Sequence, residues 1–353
     1  MGSRASHPGT RRLLFFICAA LASAFLAQAP VARATEPGAS TPMVAEASPA
    51  AARAKTAPDH ASLTASRVPT PPIRTREEWQ RWRGLSFGTY LSPTSGFVTD
   101  DGGVDVVFHF HAGQMAERQM KESGANAVFV SCGYGIGSGA YSEALANPAR
   151  FGRMLDELVK NLETQTGKKG LHIRHLALAS WSAGFAAVGK ILGVERYYAL
   201  VDTVVLNDSL HSQYKAPNPK TAAQGADRVD LTMIRSFVRF AKDAAAGQKT
   251  MAITHSAIIP PDYASSTEAT QALLTAIDVP GQATPIAGEG DWRSMKLITR
   301  ADAGNLHVRG FRGAGPRDHF EHLYLLGDVL RAWVVPRWKR DDRLVYTLAG
   351  EQL

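Results

Sequence analysis

Between about residue 100 and residue 333 the chain alternates short apolar runs with amphipathic stretches, and few folds accept that pattern. Residues 104–110 carry Val104, Val106, Val107, Phe108 and Phe110 and read as a buried strand. Residues 127–130 read as a second strand, followed by a glycine-rich loop over 133–139. Phe151, Met154, Leu155, Leu158, Val159 and Leu162 then recur in alternating steps of three and one, which puts one apolar stripe on a helix. Gly167 and Gly170 close that helix. Further strands are expected over 172–180, 201–206, 250–254 and 306–311. Helices are expected over 183–192, 229–245, 267–277 and 319–333. Strand–helix alternation of this kind predicts an α/β fold: a mostly parallel central sheet with helices on both faces. Ligands on such sheets bind beyond the carboxyl ends of the strands, so chemistry is sought there.

The first 75 residues have a different character. Arg11 and Arg12 precede an apolar run over 13–27, and Ala32-Arg33-Ala34 follows, so residues 1–34 read as a signal peptide. A run of that length is short for a membrane span of about 20 residues, so no stable span is expected after cleavage. Residues 35–75 are rich in Ala, Pro, Ser and Thr and cannot bury enough apolar surface to offset their ordering entropy, which predicts a disordered linker. The folded domain is expected over 76–353, in a protein that is secreted or held in the periplasm or cell envelope.

The net charge is +7, but Arg4, Arg11, Arg12 and Arg33 lie in the first segment with no acid beside them. The globular part is close to neutral and carries no basic stripe with interleaved aromatics, which argues against nucleic acid as a partner. The two cysteines, Cys18 and Cys132, form no disulfide framework, and Cys132 reads as a small buried hydrophobe.

Ser182 is the candidate nucleophile. It lies in Ser180-Trp181-Ser182-Ala183-Gly184, after an expected strand and before an expected helix. A sharp turn there exposes the central side chain and requires small residues two places before and after it. The helix amino terminus behind it favours developing negative charge. The Ala183 backbone N–H is one expected oxyanion donor; the second is expected from His111 or Ala112, in the turn after the 104–110 strand. His319, after the last expected strand, is the candidate base, with His322 as the second choice. Asp208 is preferred as the acid over Asp262, and the order Ser182, Asp208, His319 suits an acyl-transfer triad. Trp181 and Tyr141 are expected to line the substrate pocket.

Rival readings rest on other residues. His109 and His111 lie two apart and with Asp208 suggest a metal hydrolase. The loop from Gly133 to Gly139 contains G-x-G-x-G, but a dinucleotide reading fails because no helix opens directly and the strand is not the first. Neither a metal nor a cofactor is called for. A third reading keeps the fold and drops catalysis, leaving a secreted binding protein.

On these motifs residues 104–338 resemble the α/β-hydrolase superfamily. The matches are Phe108-His109-Phe110-His111-Ala112-Gly113, Ser180-Trp181-Ser182-Ala183-Gly184, and Asp318-His319. Two departures are Ser180, where the pattern has Gly, and the lack of an acid directly after the penultimate strand. The second implies an acid moved one strand earlier. The resemblance implies hydrolysis of an ester or amide in a small-molecule or polymer substrate through a Ser182 acyl-enzyme, esterase- or lipase-like rather than peptidase-like.

Overall fold

A computed structural model describes residues 78–216, 225–283, 292–339 and 346–347. The expected signal peptide and linker lie outside the described residues. The strands are β1 (Arg83–Leu85), β2 (Gly88–Leu91), β3 (Gly103–Phe110), β4 (Val128–Cys132), β5 (His172–Trp181), β6 (Thr203–Asn207), β7 (Thr250–His255), β8 (Gln282–Ala283), β9 (Leu297–Ala303), β10 (Leu306–Phe311) and β11 (Tyr346–Thr347). The helices are α1 (Glu117–Glu122), α2 (Ser138–Ala144), α3 (Arg150–Thr166), α4 (Phe185–Leu192), α5 (Glu195–Leu200), α6 (Arg235–Ala245), α7 (Ser266–Ala276) and α8 (Pro316–Tyr324), with further helical turns as far as Trp338.

One sheet runs in the order β1-β2-β4-β3-β5-β6-β7-β10-β9-β8, with β11 against the start of β5. From β4 to β10 every neighbouring pair is parallel. The antiparallel strands β1, β2, β8 and β9 sit at the two edges. The expected α/β class and its parallel sheet are therefore present. The edge strands were not anticipated, because they are short or lack an apolar run: β9, Leu-Ile-Thr-Arg-Ala-Asp-Ala, has only two buried positions.

The period of two along each strand divides the core into two layers. Leu176 and Leu178 of β5, Val106, Phe108 and Phe110 of β3, and Val204 and Leu206 of β6 face α3, α4 and α6. Ala177, Ala179 and Trp181 of β5, with Val107, Phe129 and Val205, face α1, α8 and the turns after it. A strand buried on both sides is apolar along most of its length, and β3, β4, β6 and β7 are buried throughout, with a few buried polar residues such as Asp105, His109 and Thr254 among them. In α3 the predicted stripe is the buried face, and Gly167 ends the helix in the left-handed conformation at φ 70°. Truncating fully buried Leu155 on that face is worth about 2–5 kcal/mol of stability.

Two helix boundaries differ from expectation. The helix expected over 229–245 begins at Arg235, because Val229 bridges back to Tyr214 and holds the preceding residues extended or in turns. The helix expected at His319 begins at Pro316, where the ring's fixed φ suits a first turn and Asp318 reaches back to the Gly315 N–H. The connections after β3, β5, β6, β7 and β10 all emerge at the carboxyl edge of the sheet, where β5 is central. Among the described residues no helix is long and apolar enough to cross a membrane.

Candidate active site

Ser182 is held where a serine rarely sits. Trp181 ends β5 in extended conformation, Ser182 turns into the left-handed region at φ 52°, and a 3-10 turn over Ser182–Gly184 leads into α4. Such a φ is strained for a residue with a Cβ and persists only where the surroundings enforce it. The enforcement is visible at Gly184, where an added Cβ would lie 2.2 Å from the Phe110 carbonyl oxygen of the adjacent strand.

The Ser180 departure has a local explanation. Ser209 Oγ donates to the Ser182 carbonyl at 2.8 Å, so its proton is used. The 2.8 Å contact between the Ser180 and Ser209 hydroxyls must then have Ser180 as donor. A buried hydroxyl that a glycine would lack thus ties β5 to the connection after β6.

That connection carries Asp208, also left-handed at φ 46° and almost fully buried. Its N–H donates to the Thr254 carbonyl at 2.8 Å. Its Oδ1 accepts from the Ser256 N–H at 3.0 Å and from the Ser266 hydroxyl. Its Oδ2 lies 2.7 Å from His319 Nδ1. Burial alone would raise the carboxyl's pKa. Electrostatic interaction with His322 and His319 and the hydrogen bonds from His319 and Ser266 outweigh it and hold the group well below the usual carboxylate range. Asp208 is therefore ionised, and His319 carries its neutral-state proton on Nδ1, leaving Nε2 as an acceptor.

The alternatives go elsewhere. Asp262 is exposed. His322 is fully buried with Nδ1 on the Thr254 hydroxyl at 2.8 Å, and burial drives its pKa down to about 4. His255 and His211 are likewise lowered by burial to about 4. The aspartate thus has neutral imidazoles around it in addition to His319.

The serine–histidine contact is open. His319 Nε2 is buried, and no hydrogen bond reaches it among the described residues, from Ser182 or any other group.

At the end of β3, His111 and Ala112 are both left-handed, at φ 72° and 55°. The two do not offer equivalent donors. The His111 N–H extends the β3–β4 ladder by donating to the Cys132 carbonyl at 3.0 Å, so it is not free for an oxyanion. Among the described residues the Ala112 N–H has no backbone acceptor, and the Ala183 N–H lies in the first helical turn, where amides lack intrahelical acceptors.

The residues expected at the pocket lie in the interior. Trp181 and Tyr141 are buried, at 2% and 0% exposure, and neither offers an open wall. Tyr141 OH lies 2.7 Å from His111 Nδ1. The Trp181 indole N–H donates to the His319 carbonyl at 2.8 Å. Cys132 is buried and unpaired, and its thiol is pushed up to about 12 by burial.

The three ligands of the metal reading do not converge. The left-handed turn at His111 breaks the alternation that would align it with His109. His109 is fully buried against Phe129, and among the described residues neither ring nitrogen has a hydrogen-bond partner. Among the described residues no three His, Cys, Asp or Glu side chains are grouped to hold a metal.

Ser209, Ser256 and Ser266 were not singled out from the sequence. Ser265 and Glu268 form a capping box that announces the start of α7. Nothing local shows that the next residue, Ser266, bonds an aspartate 58 positions earlier.

The mostly parallel sheet and the strained strand–turn–helix at Ser182 resemble those of the α/β-hydrolase fold. No family model matches the chain, and no curated protein matches it. Among solved structures it is similar to one from an analysis of two prolyl endopeptidases, at 10% identity and TM-score 0.37, covering 74% of this chain and 39% of that one. A cold-adapted esterase from an Arctic intertidal metagenomic library matches at 12% identity and TM-score 0.35, covering 77% and 96%. An acylaminoacyl peptidase of Pyrococcus horikoshii matches at 11% identity and TM-score 0.34, covering 74% and 39%. The chain thus spans well under half the length of the two peptidases.

Proposed function

We propose that this protein is a serine hydrolase that cleaves an ester or amide bond through an acyl-enzyme on Ser182, with esters preferred to peptides. The observation that carries the reading is the 2.7 Å contact between Asp208 Oδ2 and His319 Nδ1, beside a serine in a strained left-handed turn.

In this mechanism Ser182 Oγ attacks the substrate carbonyl carbon while its proton passes to His319 Nε2. Asp208 keeps the imidazole in the tautomer that accepts there and stabilises the imidazolium. The carbonyl oxygen takes up the electron pair and is met by the Ala112 and Ala183 N–H groups. Collapse of the adduct breaks the bond to the alcohol or amine, which leaves with the proton from His319. Water then repeats the sequence on the acyl-serine and releases the acid. A signal peptide over residues 1–34 would deliver the enzyme outside the cytoplasm, where lipid esters, acylated polysaccharides and peptides are candidate substrates.

A fluorophosphonate probe should label the protein, and Ser182→Ala should abolish labelling. Labelling that persists in the mutant would sink the proposal. The open contact at His319 Nε2 favours a second reading, a binding protein on the same fold without catalysis. It expects no labelling of the native chain. A loose serine–histidine contact is common in ligand-free hydrolases and tightens with substrate, so the enzymatic reading is preferred.

A further inference from the structure

A single hydrogen bond fixes where a ring nitrogen sits but not the plane of the ring. Asp208 holds His319 at Nδ1 alone, which leaves rotation about that contact. The position of Nε2, the atom that must meet Ser182, depends on what touches the ring face.

That face is against Trp181. The two ring centroids are 4.5 Å apart with 32° between planes. Trp181 also grips the residue's backbone, since its indole N–H donates to the His319 carbonyl at 2.8 Å. Phe320 packs on the same indole at 4.9 Å. The indole is itself braced: His111 stacks on it at 5.2 Å and 15°, and His111 Nδ1 is held by Tyr141 OH at 2.7 Å. At 2% exposure Trp181 has almost no surface to offer a substrate. It is also the chain neighbour of Ser182, so one residue touches the base and is bonded to the nucleophile.

We propose that Trp181 is a positioning residue, which sets the ring plane of His319 and so the approach of Nε2 to Ser182. This rests on the serine-hydrolase reading above. An indole face also attracts a cation, so the contact strengthens as His319 takes the serine proton. The interaction belongs to the transition state more than to bound substrate, and its loss should appear in kcat.

The test is steady-state hydrolysis of a soluble p-nitrophenyl ester by the full chain, with Trp181→Phe and Trp181→Leu, each checked for folding by circular dichroism and thermal melt. A displacement of about 1 Å can cost about 100-fold in rate. Trp181→Leu should lose kcat on that order with KM within about threefold of native. Trp181→Phe keeps a ring but loses the N–H, and should recover only part of the loss, with kcat still clearly below native. If the leucine variant does not fold, the phenylalanine variant decides, with a drop in kcat at unchanged KM expected. Folded variants with native kcat, or with KM alone raised, would overturn the proposal, the latter by making Trp181 a substrate contact. Labelling of native protein that Ser182→Ala abolishes, together with unaffected Trp181 variants, would leave the hydrolase reading standing and refute only this one. An unlabelled native protein would refute the hydrolase reading itself.

Discussion

Replacing Asp208 by asparagine tests the assignment most sharply, because the surrounding donors dictate which way the new amide turns. Oδ1 receives two hydrogen bonds, from the Ser256 N–H and the Ser266 hydroxyl. An asparagine must keep its oxygen there, since an NH2 group would oppose both donors. Its NH2 group then faces His319 Nδ1, across the 2.7 Å now spanned by an N–H donating to Oδ2. Two donors cannot share that line, so the neutral imidazole moves its proton to Nε2. His319 would then present a donor to Ser182 and could not accept its proton. The expected cost is about 10³–10⁴-fold in kcat/KM, or about 4–5.5 kcal/mol of transition-state stabilisation. Stability should change far less, by about 1–3 kcal/mol, because the shape is kept and a buried charge is removed while charge-assisted bonds are weakened. The assay is the second-order rate of fluorophosphonate labelling beside turnover of a soluble p-nitrophenyl ester, with a urea melt as control. A folded Asp208→Asn protein within tenfold of native rate would refute the assigned roles.

Three further outcomes are expected. His319→Ala should lose labelling, whereas His322→Gln should keep it while losing about 1–3 kcal/mol of stability from the broken Thr254 contact, read by urea melts; the reverse pattern would exchange the two histidines. Stability should fall as pH drops from about 6.5 toward 4. His111, His211, His255 and His322 have folded values lowered to about 4, so the unfolded chain binds more protons across that window. Each proton of difference removes about 1.4 kcal/mol per pH unit, and the lowered Asp208 extends the loss below the ordinary carboxylate range; urea midpoints at pH 7, 6 and 5 measure it, and a flat series would contradict neutral burial. Gly184→Ala should destabilise by about 1–3 kcal/mol or prevent folding, because its Cβ meets backbone of β3 rather than a movable side chain; a native melting temperature would show the turn to be looser than described.

The reading of residues 104–338 as a parallel α/β sheet was available in the sequence, because a strand covered on both faces carries a nearly continuous apolar run and a covering helix must carry a stripe. The same logic pointed to the turn at Ser182, since Ser180 and Gly184 are the small residues such a turn demands. Periodicity has no purchase on the short antiparallel edges, and β9 buries only Leu297 and Ala301, with Thr299, Arg300 and Asp302 interrupting its apolar residues.

The acid and base are a different matter. Local pattern supports only a preference for Asp208 over Asp262 and for His319 over His322, because the members of each pair lie in similar connections. Their separation came from contacts between residues 111 apart in the chain, where Asp208 turns left-handed toward His319 while Thr254 draws His322 into the core. Trp181 and Tyr141 are expected at the pocket because aromatic residues beside a nucleophile often line one. Their burial, and the His111 amide's bond to Cys132, depend on strand neighbours that no local window contains. The chain's own periodicity therefore determined the sheet and the strained serine at its centre, since both follow from residue size and spacing along the backbone. Only the tertiary structure brings Asp208 against His319 while leaving Asp262 exposed and His322 in the core, because hydrogen-bond partnership and burial arise where separate connections meet at one edge of the sheet.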